Sequence, residues 1–267
     1  MRLHSETRQI ETAAGEMKLI ILRPEGITEP VPGILWIHGG GYVSGMADMV
    51  YVSRGADAAR RYGAVVVSPE YRLATEAPYP AALEDCYAAL VYLKDHAAEL
   101  GVRSDQIMVG GESAGGGLCA AVCMMARDKG IRIACQMPLY PMISNVDTES
   151  SKDNHGKVWN TRRNHLAWRI YLRKHAKEHV SPYAAPSWQT DYTGLPPCYT
   201  FVCDGEPFYS ETLRYVSDLK AAGVEASADV YHSNIHAFDL YKPESEPGAT
   251  AIRRFNEWFE SALERYR

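Results

Sequence analysis

Short apolar runs recur along the chain at positions 18–22, 33–37, 64–68, 106–109, 134–139, 199–203 and 226–231, most of them bounded by Gly, Pro or Asp. Runs of this length closed by turn-forming residues predict β-strands. Between several of them the period becomes helical. Residues 80–98 carry Leu83, Tyr87, Leu90, Val91 and Leu93 at helical spacing, and residues 114–129 are similarly periodic. Residues 211–222 stop at Gly223, which suits the left-handed conformation that ends a helix. Strands alternating with helices of this length imply parallel pairing through crossovers, and strands without a polar face imply cover on both sides. The pattern predicts a three-layer α/β sandwich around a mostly parallel central sheet.

One stretch breaks the rhythm. Residues 142–187 contain no good strand; their first part is polar and their second reads as an amphipathic helix around 160–177. Such insertions at the carboxyl edge of a sheet are where α/β folds build lids and pockets. With 267 residues and no internal repeat, the chain reads as one α/β domain over 1–267 with a cap-like insertion at about 142–187.

Composition narrows the partners. The chain is 46% hydrophobic and 23% charged, an ordinary globular balance, and its net charge of −5 provides no field that would gather polyanions. Neither nucleic acid nor a membrane is expected as a partner. The first residues lack the apolar run of a signal peptide, and no stretch approaches the roughly 18 apolar residues of a membrane span, so the expected location is cytoplasmic. Cys86, Cys119, Cys123, Cys135, Cys198 and Cys203 lie mostly in apolar runs without Cys-x-x-Cys spacing. They read as reduced core residues, and no metal or cofactor is expected.

The chemistry concentrates at three places. Gly111-Glu112-Ser113-Ala114-Gly115 fits G-x-S-x-G directly after one predicted strand and at the start of a helix. Small neighbours permit the sharp turn that exposes Ser113, and the helix N-terminus beneath it favours developing negative charge. His38-Gly39-Gly40-Gly41-Tyr42, directly after the strand at 33–37, matches a glycine loop whose bare N–H groups can hold an oxyanion together with that of Ala114. An acid and a histidine should follow in that order. After the strand at 199–203 comes Asp204-Gly205-Glu206-Pro207-Phe208, and after the last strand comes His232-Ser233-Asn234-Ile235-His236. His236 stands on a loop past its strand and is the expected base, whereas His232 still belongs to the strand end. Asp239 reads as a solvated loop charge.

With these elements assembled, the chain resembles the bacterial hormone-sensitive-lipase-like esterases, a branch of the α/β-hydrolases. The likeness includes the His38–Gly41 loop, Glu70-Tyr71-Arg72-Leu73-Ala74 with Pro80-Ala81-Ala82, the elbow around Ser113, Ser181-Pro182-Tyr183-Ala184 and His236-Ala237-Phe238. It implies an α/β-hydrolase fold and a carboxylesterase in which Ser113 is the nucleophile, His236 the base, and Gly40, Gly41 and Ala114 the oxyanion donors. The family's aspartate before proline and a bulky apolar residue is replaced here by Glu206, which makes Glu206 the matched acid and Asp204 its rival. Ser-His-Glu triads occur in this fold. Many relatives carry further N-terminal helices, whereas 37 residues precede His38 here. This implies a reduced cap, an open pocket and small, short-acyl ester substrates. Trp159, Phe208, Tyr209 and Phe238 are candidate pocket walls, and a homodimer follows only by analogy with the family.

Two rival readings remain. His175-Ala176-Lys177-Glu178-His179 matches the H-x-x-E-H form of metal hydrolases, although Arg173, Lys174 and Lys177 disfavour a bound cation and a solvated basic helix face explains it better. A ligand receptor on the same fold would not need a serine, an acid and a histidine in this order beside an intact glycine loop.

Overall fold

In the computed structural model, which describes residues 1–173, 175 and 180–266, the apolar runs join one eight-stranded sheet. Its strands are β1 (Leu3–Thr12), β2 (Gly15–Pro24), β3 (Val31–Ile37), β4 (Val65–Pro69), β5 (Val102–Glu112), β6 (Gln136–Leu139), β7 (Cys198–Cys203) and β8 (Ala226–Tyr231). They lie in the order β1-β2-β4-β3-β5-β6-β7-β8. Every pair from β4 to β8 is parallel, while β1 pairs with β2, and β2 with β4, antiparallel.

The helices are α1 (Arg54–Tyr62), α2 (Ala81–Asp95), α3 (Ala97–Leu100), α4 (Ala114–Asp128), α5 (Thr161–Leu172), α6 (Tyr209–Ala221), α7 (Phe238–Tyr241) and α8 (Glu246–Arg265). Because side chains alternate along a strand, a central strand can feed two cores. Leu35 and Ile37 of β3 join the core beneath α2 and α4, while Ile34 and Trp36 join the one beneath α1 and α8. A smaller cluster locks α6 to α4 through Leu219, Tyr215, Ala120 and Met124. All six cysteines are buried and unpaired.

The insertion after β6 contributes α5 over Thr161–Leu172; of the rest of the predicted 160–177, positions 174, 176 and 177 lie outside the described residues. Asn160 caps the helix, its side chain accepting from the Arg163 N–H at 3.1 Å. Its inner face is aromatic: Tyr171 stacks on Tyr42 at 4.0 Å between centroids, and Trp168 lies 5.4 Å from the same ring. The insertion therefore braces the loop that follows β3. Among the described residues, no helix is long and apolar enough to cross a membrane.

Candidate active site

The site stands at the carboxyl ends of the parallel strands, where three loops converge. The first is the turn from β5 into α4. Ser113 occupies it with φ 57 and ψ −117, a backbone conformation that is strained for any residue bearing a Cβ. The strain persists because the surroundings fix both sides of the turn: the Ser113 N–H donates to Leu139 O at 3.0 Å, and Ser113 O accepts from the Met142 and Gly117 N–H groups at 3.0 Å each. The neighbouring glycines are required sterically. A Cβ on Gly115 would stand 2.1 Å from Ile37 O, and one on Gly111 would stand 2.5 Å from Gly115 O.

The second loop carries the glycines after β3. Gly40 has φ 122 and Gly41 φ 63, and a Cβ at either would strike Ser44 O at 2.0 Å or the Trp159 ring at 2.3 Å. His38 fastens the loop from below. It is buried and stacked on Tyr71 at 4.1 Å, and its Nδ1–H donates to Gly39 O at 2.7 Å. Burial lowers its pKa. Tyr42 joins the loop to the post-β6 segment by donating from its hydroxyl to Met142 O at 2.6 Å. Ala114 opens α4, so its N–H has no carbonyl partner one turn back within the helix.

The third component comes from the loops after β7 and β8. His236 Nε2 lies 2.8 Å from Ser113 Oγ. On the other side of the ring, Nδ1 hydrogen-bonds to Glu206 Oε2, while Glu206 Oε1 accepts from the Cys203 N–H at 2.9 Å. All three side chains are buried, Glu206 completely. Asp204 faces elsewhere. Its Oδ2 accepts from His232 Nδ1 at 2.8 Å at the surface, and that contact draws the Asp204 carboxyl below its usual range. His232 follows the last residue of β8 and takes no part in the site.

Above Ser113 opens a cavity of about 480 Å³. Among the expected pocket walls, Trp159 borders it and is held by its Nε1–H donating to Asn164 Oδ1 at 3.3 Å. Phe208 is instead buried against the His236 ring at 5.0 Å, and Phe238 packs on Phe201 at 5.7 Å in the core below. Tyr209 packs against the same core. The walls that the sequence did not reveal are Met49, Val52, Val158, Leu240 and Tyr241. Val52 and Tyr241 are 67% and 62% exposed, so the cavity has an apolar rim facing outward.

Asp239 requires correction. It is fully buried rather than solvated: Oδ1 accepts from the Tyr140 hydroxyl at 2.9 Å, and Oδ2 lies 3.3 Å from Arg54 Nε. Of the H-x-x-E-H stretch only His175 is described, packed against Tyr79 at 5.7 Å; the rest lies outside the described residues. Among the described residues, no group of three potential ligands could hold a metal ion.

Comparison with known proteins adds the lineage. A family model described as alpha/beta hydrolase fold matches residues 34–240. The carboxylic ester hydrolase LipN of Mycobacterium tuberculosis is 33% identical over 84% of this chain, which spans 61% of LipN's own length. The hormone-sensitive lipase of Bos taurus is 37% identical over 42% of the chain, itself 15% of that protein. Among solved structures, a bacterial heroin esterase superposes with a TM-score of 0.89 at 33% identity, covering 98% of this chain and 83% of its own. The chain belongs to the α/β-hydrolase fold family and, within it, to the branch of the hormone-sensitive-lipase-like esterases.

Proposed function

We propose that the protein is a serine carboxylester hydrolase acting on small, short-acyl esters, with Ser113 as nucleophile, His236 as base and Glu206 as the acid that orients the histidine. The observation that carries this reading is the 2.8 Å contact between Ser113 Oγ and His236 Nε2, backed by the buried Glu206 and open to a cavity of about 480 Å³. Ser113 Oγ attacks the ester carbonyl carbon as its proton passes to Nε2. The N–H groups of Gly40, Gly41 and Ala114 receive the oxyanion, each donor of this kind contributing about 3 kcal/mol to the barrier reduction. The bond to the alcohol oxygen then breaks, and Nε2 returns the proton to that oxygen, leaving an acyl-Ser113. Water repeats the sequence: its oxygen attacks the acyl carbon, its proton goes to Nε2 and then to the departing Ser113 Oγ, and the carboxylic acid is released.

Hydrolysis of p-nitrophenyl acetate, butyrate, octanoate and palmitate by the protein and by Ser113→Ala tests the reading. The expected result is turnover of the two shorter esters that disappears in the variant. Activity that survives the substitution would remove Ser113 as nucleophile. A preference for octanoate would keep the hydrolase and discard the short-acyl assignment.

A further inference from the structure

We propose that Asp239, clamped by Arg54 and Tyr140 behind the imidazole, is a positioning residue for His236: a second carboxylate that fixes the ring. The proposal rests on His236 acting as the base of Ser113. The geometry is that of a built support. His236 lies between two rings set nearly perpendicular to it, Tyr140 at 5.1 Å and Phe208 at 5.0 Å, each at 79°. Phe208 has no polar anchor, but Tyr140 does: its hydroxyl donates to Asp239 Oδ1 at 2.9 Å. Asp239 is the third residue past His236, so the bond ties the ring beside the base to the helix, α7, that follows it. Arg54, at the start of α1 and nearly buried, reaches the other carboxylate oxygen at 3.3 Å and also pairs with Asp57.

Tyr140 has φ 35, a conformation that a bulky residue keeps only when its surroundings hold it there. Its N–H donates to Phe201 O at 3.0 Å, so strand β7 supplies one constraint and Asp239 the other.

Burial holds the Asp239 carboxyl above its ordinary range, and Arg54, the Tyr140 hydroxyl and His236 pull against that rise. Glu112, next to Ser113 on β5, faces the same cluster and is pushed up to about 8 by burial and by Asp239 itself, so at neutral pH it keeps its proton and does not compete for Arg54. The Cys203 thiol on β7 also feels Asp239, and burial keeps it neutral. The Tyr140 phenol is raised well above its ordinary value. Once His236 takes the Ser113 proton, the new positive charge faces Glu206 directly and Asp239 at longer range.

The deciding experiment measures kcat and KM for p-nitrophenyl acetate from pH 5 to 9 in Asp239→Asn and Tyr140→Phe, with competent sites counted by organophosphate titration and Ser113→Ala as the blank. Asp239→Asn should lower kcat per titrated site about tenfold with KM within about twofold, and move the acid limb of kcat/KM to lower pH by about half a unit. A ring less firmly held against Glu206 gains less from that carboxylate when protonated, which sets that direction. Tyr140→Phe, which keeps the ring against the imidazole, should move the limb the same way by less; if Asp239→Asn does not fold, this variant decides. A limb that stays in place in both variants, whatever happens to the rate, would reduce the cluster to scaffold and overturn the proposal. Failure of the unaltered protein to react with the organophosphate, or persistent activity in Ser113→Ala, would instead overturn the triad reading, a result separable from an unmoved limb in a labelled enzyme.

Discussion

Asp204 and Glu206 flank one glycine, yet their side chains end in different environments. Gly205 makes the separation possible, since a Cβ there would meet Ser233 O at 2.8 Å, and the chain can press close enough to the post-β8 loop for Glu206 to reach under His236. Asp204 turns outward to His232. The expected consequence is asymmetric. Glu206→Gln should cut turnover of p-nitrophenyl acetate by up to roughly 10⁴-fold, because an amide both removes the charge and stops fixing the productive tautomer, while Asp204→Asn should leave it within a few-fold. Steady-state kinetics of the two variants side by side check this, and the reverse ranking would transfer the acid role to Asp204. Ser113, His236 and the glycine loop are legible in sequence because each chemistry needs a rare local pattern. Asp239 is not, because a carboxylate past a loop histidine looks solvated unless its partners, Arg54 and Tyr140, are seen arriving from distant parts of the chain.

The strands and helices follow the same division between local and distant causes. The parallel strands of the sheet centre are apolar on both faces and stand out, as does α4, whose buried residues run almost its whole length. Strand β1 escapes the apolar pattern because LHSETRQIET buries only Ile10; what holds it is antiparallel pairing with β2, a property of two segments rather than one. Helix α1 hides for a different reason: it is short, and although its charged residues segregate from its buried ones, the inward face is built of alanine and of Gly55 pressed against Trp36 rather than of large apolar side chains. The contact between the glycine loop and the insertion is also long-range, and it makes a testable demand. A methyl at Gly41 must displace Trp159, which Asn164 holds, or push the loop away from the oxyanion position. Gly41→Ala should therefore lose about 10²-fold or more in kcat, the scale of a missing oxyanion donor. Gly26→Ala, at φ 77 but with nothing within 4 Å of the added carbon, should retain activity. Equal losses in both would mean that backbone strain, not the Trp159 contact, sets the cost.

At the scale of the whole molecule, the buried carboxylates dictate how stability answers to pH. Glu112 and Glu211 are each fully enclosed and pushed up to about 8, chiefly by burial. Glu211 joins α6 to the segment after β6, Oε1 accepting from the Ile143 and Ser144 N–H groups at 2.7 and 3.1 Å; these bonds pull its pKa down without offsetting the loss of water. In the unfolded chain both groups release their protons near the ordinary glutamate value of 4.5. Between that value and about 8 the native state therefore holds protons that the unfolded state has lost. Stability contributed by these protonated groups is complete below about 4.5 and fades as pH rises through 8. The thermal unfolding midpoint should accordingly fall between pH 6 and pH 9, and Glu112→Gln and Glu211→Gln, neutral at every pH, should each flatten that decline. Glu211→Gln is the cleaner probe, because it stands apart from the Arg54 cluster and its Oε1 interactions can pass to the amide oxygen. A midpoint that rises over the same interval would mean that these carboxylates are ionised in the fold, paired with charge that the present geometry does not supply.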